Sequence, residues 1–225
     1  MKKLAMILVA ATMVSNAFAV TYSDPVGDVA VPGSPFPHMD ITMAEVTNTA
    51  TAITFTFTLN GSPIATNWGK YNVLIHKTGA SSIDTATNNN PWGRNFGLLV
   101  GSTAFIGSWV DQPSNNSQNW TYNGSWNLGT TTSNTVTSST VSVTANLSDL
   151  GLAVGDTILF DMVTTGSNGG DTAVDSLTGL AVPTDWQQHV DMEGLLYNVN
   201  VVPEPGTMAA LGLGAMALIR RRRAR

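Results

Sequence analysis

The chain predicts an all-β fold: a single antiparallel, jelly-roll-like β-sandwich carrying one short helix, flanked by an N-terminal signal helix and a short C-terminal hydrophobic helix. Three observations lead there. The run "TAITFTFTLN" at 51–60 alternates Ile53, Phe55, Phe57 and Leu59 with threonines and stops at Asn60-Gly61, the period of a half-buried strand entering a turn. Short runs of similar kind recur along the chain, divided by turn clusters such as "NNNPWG" at 88–93 and "DQPSNN" at 111–116. Thr, Ser, Asn and Gly dominate the polar positions, which favours strands and turns over helices. Many short strands with little helical periodicity bury one face of each sheet most simply by packing two sheets together.

The elements follow in order. After the strand at 51–60, "WGKYNVLIHK" repeats the alternation with Tyr71, Val73 and Ile75. Further strands are expected at "NFGLLVG", "AFIGSWV", "STVSVTANL", "TILFDMVTT" and "GLLYNVNVV". In "NWTYNGSWNL", Asn123-Gly124 has the preferred composition of a two-residue type I′ turn. That turn would pair Tyr122 with Ser125 and Thr121 with Trp126, placing Trp120 and Tyr122 on one face and Trp126 and Leu128 on the other. The Ser/Thr-rich stretch 129–140 reads as a loop leading into a strand. The short helix is expected in "GGDTAVDSLTG", where Asp171 can cap the start, Ala173, Val174 and Leu177 share a face and Gly179 can end it.

The two ends read as addresses. Lys2 and Lys3, the apolar run Leu4–Val14 and the small-x-small step Ala17-Phe18-Ala19 are the three parts of a secretory signal peptide, residues 1–19, cut by signal peptidase. At the other end, residues 202–225 hold Pro203-Glu204-Pro205, an apolar stretch Met208–Ile219 and the stop Arg220, Arg221, Arg222 and Arg223. Twelve residues of helix span about 18 Å against a hydrocarbon core of about 30 Å, so this segment suits a transient inner-membrane anchor better than a permanent one. Arginines hold the cytoplasmic side, which leaves the preceding domain facing outward.

Residues 20–201 remain as one domain long enough for a core of its own. It carries only Lys70, Lys77 and Arg94 against fourteen acidic residues, a net charge of −11, because the other basic residues sit in the two ends. Such a surface repels nucleic acid and offers no basic patch for phosphate. With no cysteine, the domain has no disulfide, no thiol nucleophile and no cysteine-held zinc or haem.

Among chemistry-bearing residues, the aromatics stand out. Indole and phenol faces stack on the apolar faces of sugar rings, and neighbouring amides and carboxylates bond hydroxyls. Trp120, Tyr122 and Trp126, with Trp92 and Trp109, are the candidate glycan platform. Two carboxylate pairs, Asp24 with Asp28 and Asp171 with Asp175, are candidates for a structural Ca²⁺, which takes hard oxygen ligands; no cofactor is otherwise required. Two His-x-Asp steps, His38 with Asp40 and His189 with Asp191, would each project both side chains from one strand face. If first and last strands are neighbours, the four would meet as a transition-metal site. There is no Gly-x-Ser-x-Gly elbow, His-Glu-x-x-His or P-loop, and the expectation is a non-enzyme.

Two resemblances add to this reading. Val202 to Arg225, with its Pro-Glu-Pro triplet, apolar run and arginine cluster, resembles the PEP-CTERM sorting signal. That resemblance implies an exosortase-type transpeptidase as partner and a final place on the cell surface or in the extracellular matrix of a Gram-negative bacterium that makes exopolysaccharide. "SDPVGDVAVPGSPFPHMD" at 23–40, followed by "ITMAEVTNTATAITFTFTL", is similar to the opening of DOMON-like domains, sandwiches related to family 9 carbohydrate-binding modules. What it implies is a sandwich fold and a carbohydrate ligand; with the tail, the expectation is a domain that binds exopolysaccharide, the alternatives being a structural or adhesive matrix protein without a glycan pocket and a polysaccharide-active enzyme.

Overall fold

A computed structural model describes residues 18–31, 33, 35–179 and 185–200. The predicted signal helix before Phe18 and the tail from 201, with Pro203, Glu204, Pro205 and the four arginines, lie outside the described residues. The strands are β1 (Phe18–Ser23), β2 (Ile41–Asn48), β3 (Ala52–Leu59), β4 (Lys70–Lys77), β5 (Phe96–Leu98), β6 (Ala104–Trp109) and β7 (Ser117–Tyr122). There follow β8 (Trp126–Thr132), β9 (Thr135–Val136), β10 (Thr140–Asn146), β11 (Thr157–Thr165), β12 (Ala173–Ser176), β13 (Val190–Met192) and β14 (Leu195–Asn198). One sheet runs β1-β2-β3-β10-β9, the other β12-β11-β4-β6-β7-β8 with β14 also on β11, and a two-stranded parallel ribbon joins β13 to β5.

The fold is all-β with antiparallel sheets facing each other as a sandwich. Period-two alternation builds the space between them. Ile53, Phe55, Phe57 and Leu59 of β3 and Val141, Val143 and Ala145 of β10 meet Tyr71, Val73 and Ile75 of β4 and Ile158, Phe160 and Met162 of β11. The outer face of the first sheet is the threonine side, tied across strands by Thr54–Thr144 (2.8 Å) and Thr56–Ser142 (2.9 Å) hydroxyl bonds. The second sheet has no such free face at its centre. Leu74, Phe105 and Val163 point away from the main core and pack with Phe96, Leu98, Val190 and Met192 of the ribbon. That second burial explains why Tyr71 to Ile75 are buried without a break.

Three expectations change. The helix expected at 171–179 is β12, paired with Val163–Thr165 of β11. Ala173 packs with the outer-face cluster and Val174 with Val31 and Met39, so neighbouring apolar residues serve opposite faces, as only a strand allows. Among the described residues the one helical element is the 3₁₀ turn Ser148–Leu150, closed by Gly151 at φ +66°. The stretch 129–140 is not all loop: β8 runs through Thr132, and β9 follows. In the hairpin, Tyr122 pairs with Trp126 and Trp120 with Leu128, a loop of three residues and not two. That single-residue change puts all four of these side chains on one face. At the edge of the first sheet β1 begins at Phe18, pairing Phe18 and Ala19 with Asn48 and Thr47.

Candidate functional site

Within β6, Gly107 makes room for an indole. A Cβ at Gly107 would lie 2.1 Å from Trp92 Cζ2, so the Trp92 ring rests against bare backbone. Trp92 meets Phe105 edge-on at 5.4 Å and Trp109 at 5.9 Å with a 45° tilt. Its indole N–H donates to Gln118 Oε1 at 3.0 Å, an oxygen that also accepts the Trp120 indole N–H at 3.3 Å. The Arg94 guanidinium stands 5.8 Å from the centroid of the Trp92 ring. Together Trp92 and Trp109 wall a cleft of about 330 Å³, rimmed by Lys70, Arg94, Asp111, Gln112 and Gln118, with Lys70 Nζ 3.3 Å from Asp111 Oδ2. Two half-exposed indoles beside amide, carboxylate and cationic groups can stack on a ring and bond its hydroxyls.

The other three aromatic candidates stand elsewhere. Trp120 and Trp126 pack at the margin of the outer-face cluster. Trp126 donates its indole N–H to Asp84 Oδ2 at 2.7 Å and meets Tyr122 at 5.5 Å. All three are half-buried, as are the six tryptophans of the chain, and none lines the Trp92–Trp109 cleft. A second aromatic group was not expected: Phe36, Trp68 and Trp186 lie 5.5–6.1 Å apart in pairs and wall a cleft of about 560 Å³ with Asn168, Asp171 and Gln187. These rings come from three distant loops, and no local pattern joins them.

The acidic candidates regroup. Asp24, Asp28 and Asp175 bring one carboxylate oxygen each to within 4.8 Å of the others, and among the described residues no other three metal-ligating side chains converge in this way. Asp40 braces the turn between the first two, accepting the Gly27 N–H on both oxygens (3.1 and 3.0 Å) and an Asn60 amide hydrogen at 2.9 Å. Gly27 adopts φ +85°, a conformation that suits glycine. Asp175 accepts the backbone N–H of Ile41 at 2.6 Å and that of Ser176 at 2.8 Å.

Burial, with Asp28, Asp161 and Asp40 nearby, pushes the Asp24 carboxyl up to about 7. Burial likewise pushes Asp175 up to about 8, with Asp24 and Asp28 adding to the rise and the Ile41 and Ser176 N–H groups opposing it. Asp28 is raised by burial and by Asp40, against its own backbone N–H. Fully buried Asp161 rises to about 6 through burial, opposed by hydrogen bonds from Thr178 and Ser176.

Asp171 is not part of this group. Its Oδ2 accepts the Asn168 N–H at 2.9 Å and lies 3.9 Å from Arg94 Nη1. The four-residue His-x-Asp site does not form. His38 is buried, its ring 4.9 Å edge-on from Trp68, and burial lowers its pKa. His189 bonds Asp191 at 2.9 Å and Asn88 at 2.8 Å. The reason is topological: β13, which follows His189, pairs with β5 and not with β2.

Comparison with known proteins gives one match, the model of the PEP-CTERM protein-sorting motif, over residues 201–223. No curated protein and no solved structure matches the chain. The motif marks export and sorting through the C-terminus, with an exosortase as the implied partner and a transient membrane anchorage. Among the described residues no helix is long and apolar enough to cross a membrane.

Proposed function

We propose that this exported chain is a surface or extracellular-matrix protein whose β-sandwich binds carbohydrate, the exopolysaccharide of the producing cell, in the cleft of Trp92 and Trp109. In this reading signal peptidase removes the leader, the tail holds the chain briefly in the inner membrane of a Gram-negative bacterium, and exosortase passes it on. The observation that carries the binding function is the pair of indoles 5.9 Å apart, tilted by 45°, at the mouth of a cleft rimmed by Lys70, Arg94, Asp111, Gln112 and Gln118. A sugar ring buries its C–H face on an indole, while its hydroxyls take bonds from such a rim. We read the domain as a binder and not an enzyme because Asp111 is the one carboxylate on this rim, whereas glycoside hydrolysis uses two.

Intrinsic tryptophan fluorescence of the purified protein, titrated with the host exopolysaccharide, tests this. Saturable quenching that disappears in Trp109→Ala and weakens in Gln112→Ala supports it. A flat response at every concentration leaves a structural or adhesive matrix protein, with the tail as its address.

A further inference from the structure

We propose that Asp24, Asp28 and Asp175 hold a calcium ion that ties the loop between β1 and β2 to β12. Two oxygens bound to one ion at about 2.4 Å can be no more than about 4.8 Å apart, and the three carboxylates meet that limit pairwise. The donors are all carboxylate oxygens, with no imidazole or thiolate in the group, which selects a hard cation over zinc or copper.

A second observation is independent of the grouping. Asp24 is only 9% exposed, and its Oδ2 has no hydrogen-bond partner among the described residues. A carboxylate oxygen taken out of water normally finds a donor, so this one has its lone pairs available to a cation.

Charge balance points the same way. Lys70, Lys77 and Arg94 are the only lysines or arginines between residues 18 and 200, and each lies beside a different aspartate: Asp111 at 3.3 Å, Asp156 at 2.8 Å and Asp171 at 3.9 Å. None neutralises Asp24, Asp28 or Asp175, and buried Asp161 adds further negative charge near Asp24. A divalent cation supplies the missing charge.

The two hydrogen bonds to Asp175 leave each of its oxygens a lone pair for the ion, and exposed Asp28 forms the open side where water completes a shell of six to eight oxygens. The bound ion fastens the loop that also gives its Ala30 N–H to the Val174 carbonyl at 3.1 Å. That loop carries Phe36 and His38 into the second aromatic group, so the ion braces one wall of the larger cleft.

This proposal stands apart from the carbohydrate reading, and its test uses no glycan. The purified protein is stripped with a chelator, dialysed, and titrated with CaCl₂ by calorimetry, with Tm followed in parallel. The expected result is one equivalent bound and a rise in Tm. In Asp28→Asn, an exposed change that the fold tolerates, affinity falls by about tenfold or more. Asp111→Asn, at the separate indole cleft, leaves calcium binding unchanged. No heat and no Tm change with CaCl₂ overturns the proposal, as does full-strength binding by Asp28→Asn. Equal response to MgCl₂ at the same concentration overturns the assignment to calcium.

Discussion

The backbone N–H of Ile41 donates to the Asp175 carboxylate at 2.6 Å, joining the first residue of β2 to β12 across 134 positions and from one sheet to the other. Ile41 is fully buried, so no water can replace that acceptor. Asp175→Ala is expected to lower stability by about 1–3 kcal/mol, the cost of an orphaned buried donor. Urea unfolding at pH 5 with chelator present, where carboxylate repulsion is small, reads this directly as a fall in the midpoint at constant slope. An unchanged midpoint would mean that β12 holds the loop by packing alone.

The same cluster gives the chelated protein an unusual pH profile. Asp24 and Asp175 have folded-state pKa values of about 7 and about 8, above the ordinary carboxylate value of 3.8. The native state therefore binds more protons than the unfolded state between these limits. Their contribution to stability is complete below pH 3.8 and is lost as pH rises through 7 and 8. The groups facing them, Asp28, Asp40 and Asp161, are all acidic and supply no opposing cation. Thermal melts of chelated protein should show Tm falling from pH 5 to pH 8, and saturating CaCl₂ should flatten that fall.

Gly107 is the position on which the indole cleft depends. Gly107→Ala puts a methyl 2.1 Å from Trp92 Cζ2, inside any allowed contact, and the ring must move off the β6 backbone. Overpacking of this kind costs about 1–3 kcal/mol. A red shift of tryptophan emission together with loss of exopolysaccharide quenching is expected. Quenching at wild-type strength would move the binding site away from Trp92.

Much of the sandwich was readable because its signals are local. Ile53, Phe55, Phe57 and Leu59 alternate within one strand, and all four are buried. The stretch 171–179 and the pairing of the carboxylates are decided instead by contact between distant segments. Asp171, Val174 and Gly179 satisfy every local rule for a capped helix, yet β11 pairing and two separate apolar clusters decide for a strand. The hairpin differs from expectation by one residue of register, and that reverses which face Trp126 shares. Asp24 and Asp28 were visible as a pair, but sequence proximity linked Asp175 to Asp171. The fold instead sends Asp171 to Arg94 and carries Asp175 to the turn that follows β1. Trp92 and Trp109 were visible as aromatics; their pairing rests on the missing side chain of Gly107, which no periodicity signals.

The tail makes its own prediction. Pro203, Glu204 and Pro205 fall inside the matched sorting motif, and proline lacks the backbone N–H that would let the triplet join a helix or sheet ladder. The sorting motif covers this triplet together with the apolar run and Arg220–Arg223. Replacing Pro203-Glu204-Pro205 by alanines removes the recognition element but keeps the apolar stretch and its arginine stop. The uncut chain should then accumulate in the membrane fraction of the producing cell, while on the proposed route the wild-type chain should lose its tail and appear at the surface or in the matrix. Replacing the four arginines by neutral residues should instead let the short span slip through the bilayer before it is recognised, since twelve helical residues would span only about 18 Å and would rely on cytoplasmic charges to stop there. Immunoblots of fractionated cells separate the two outcomes: retention with the tail for the triplet change, release with the tail for the arginine change. Normal processing of both variants would mean that the apolar stretch alone is read.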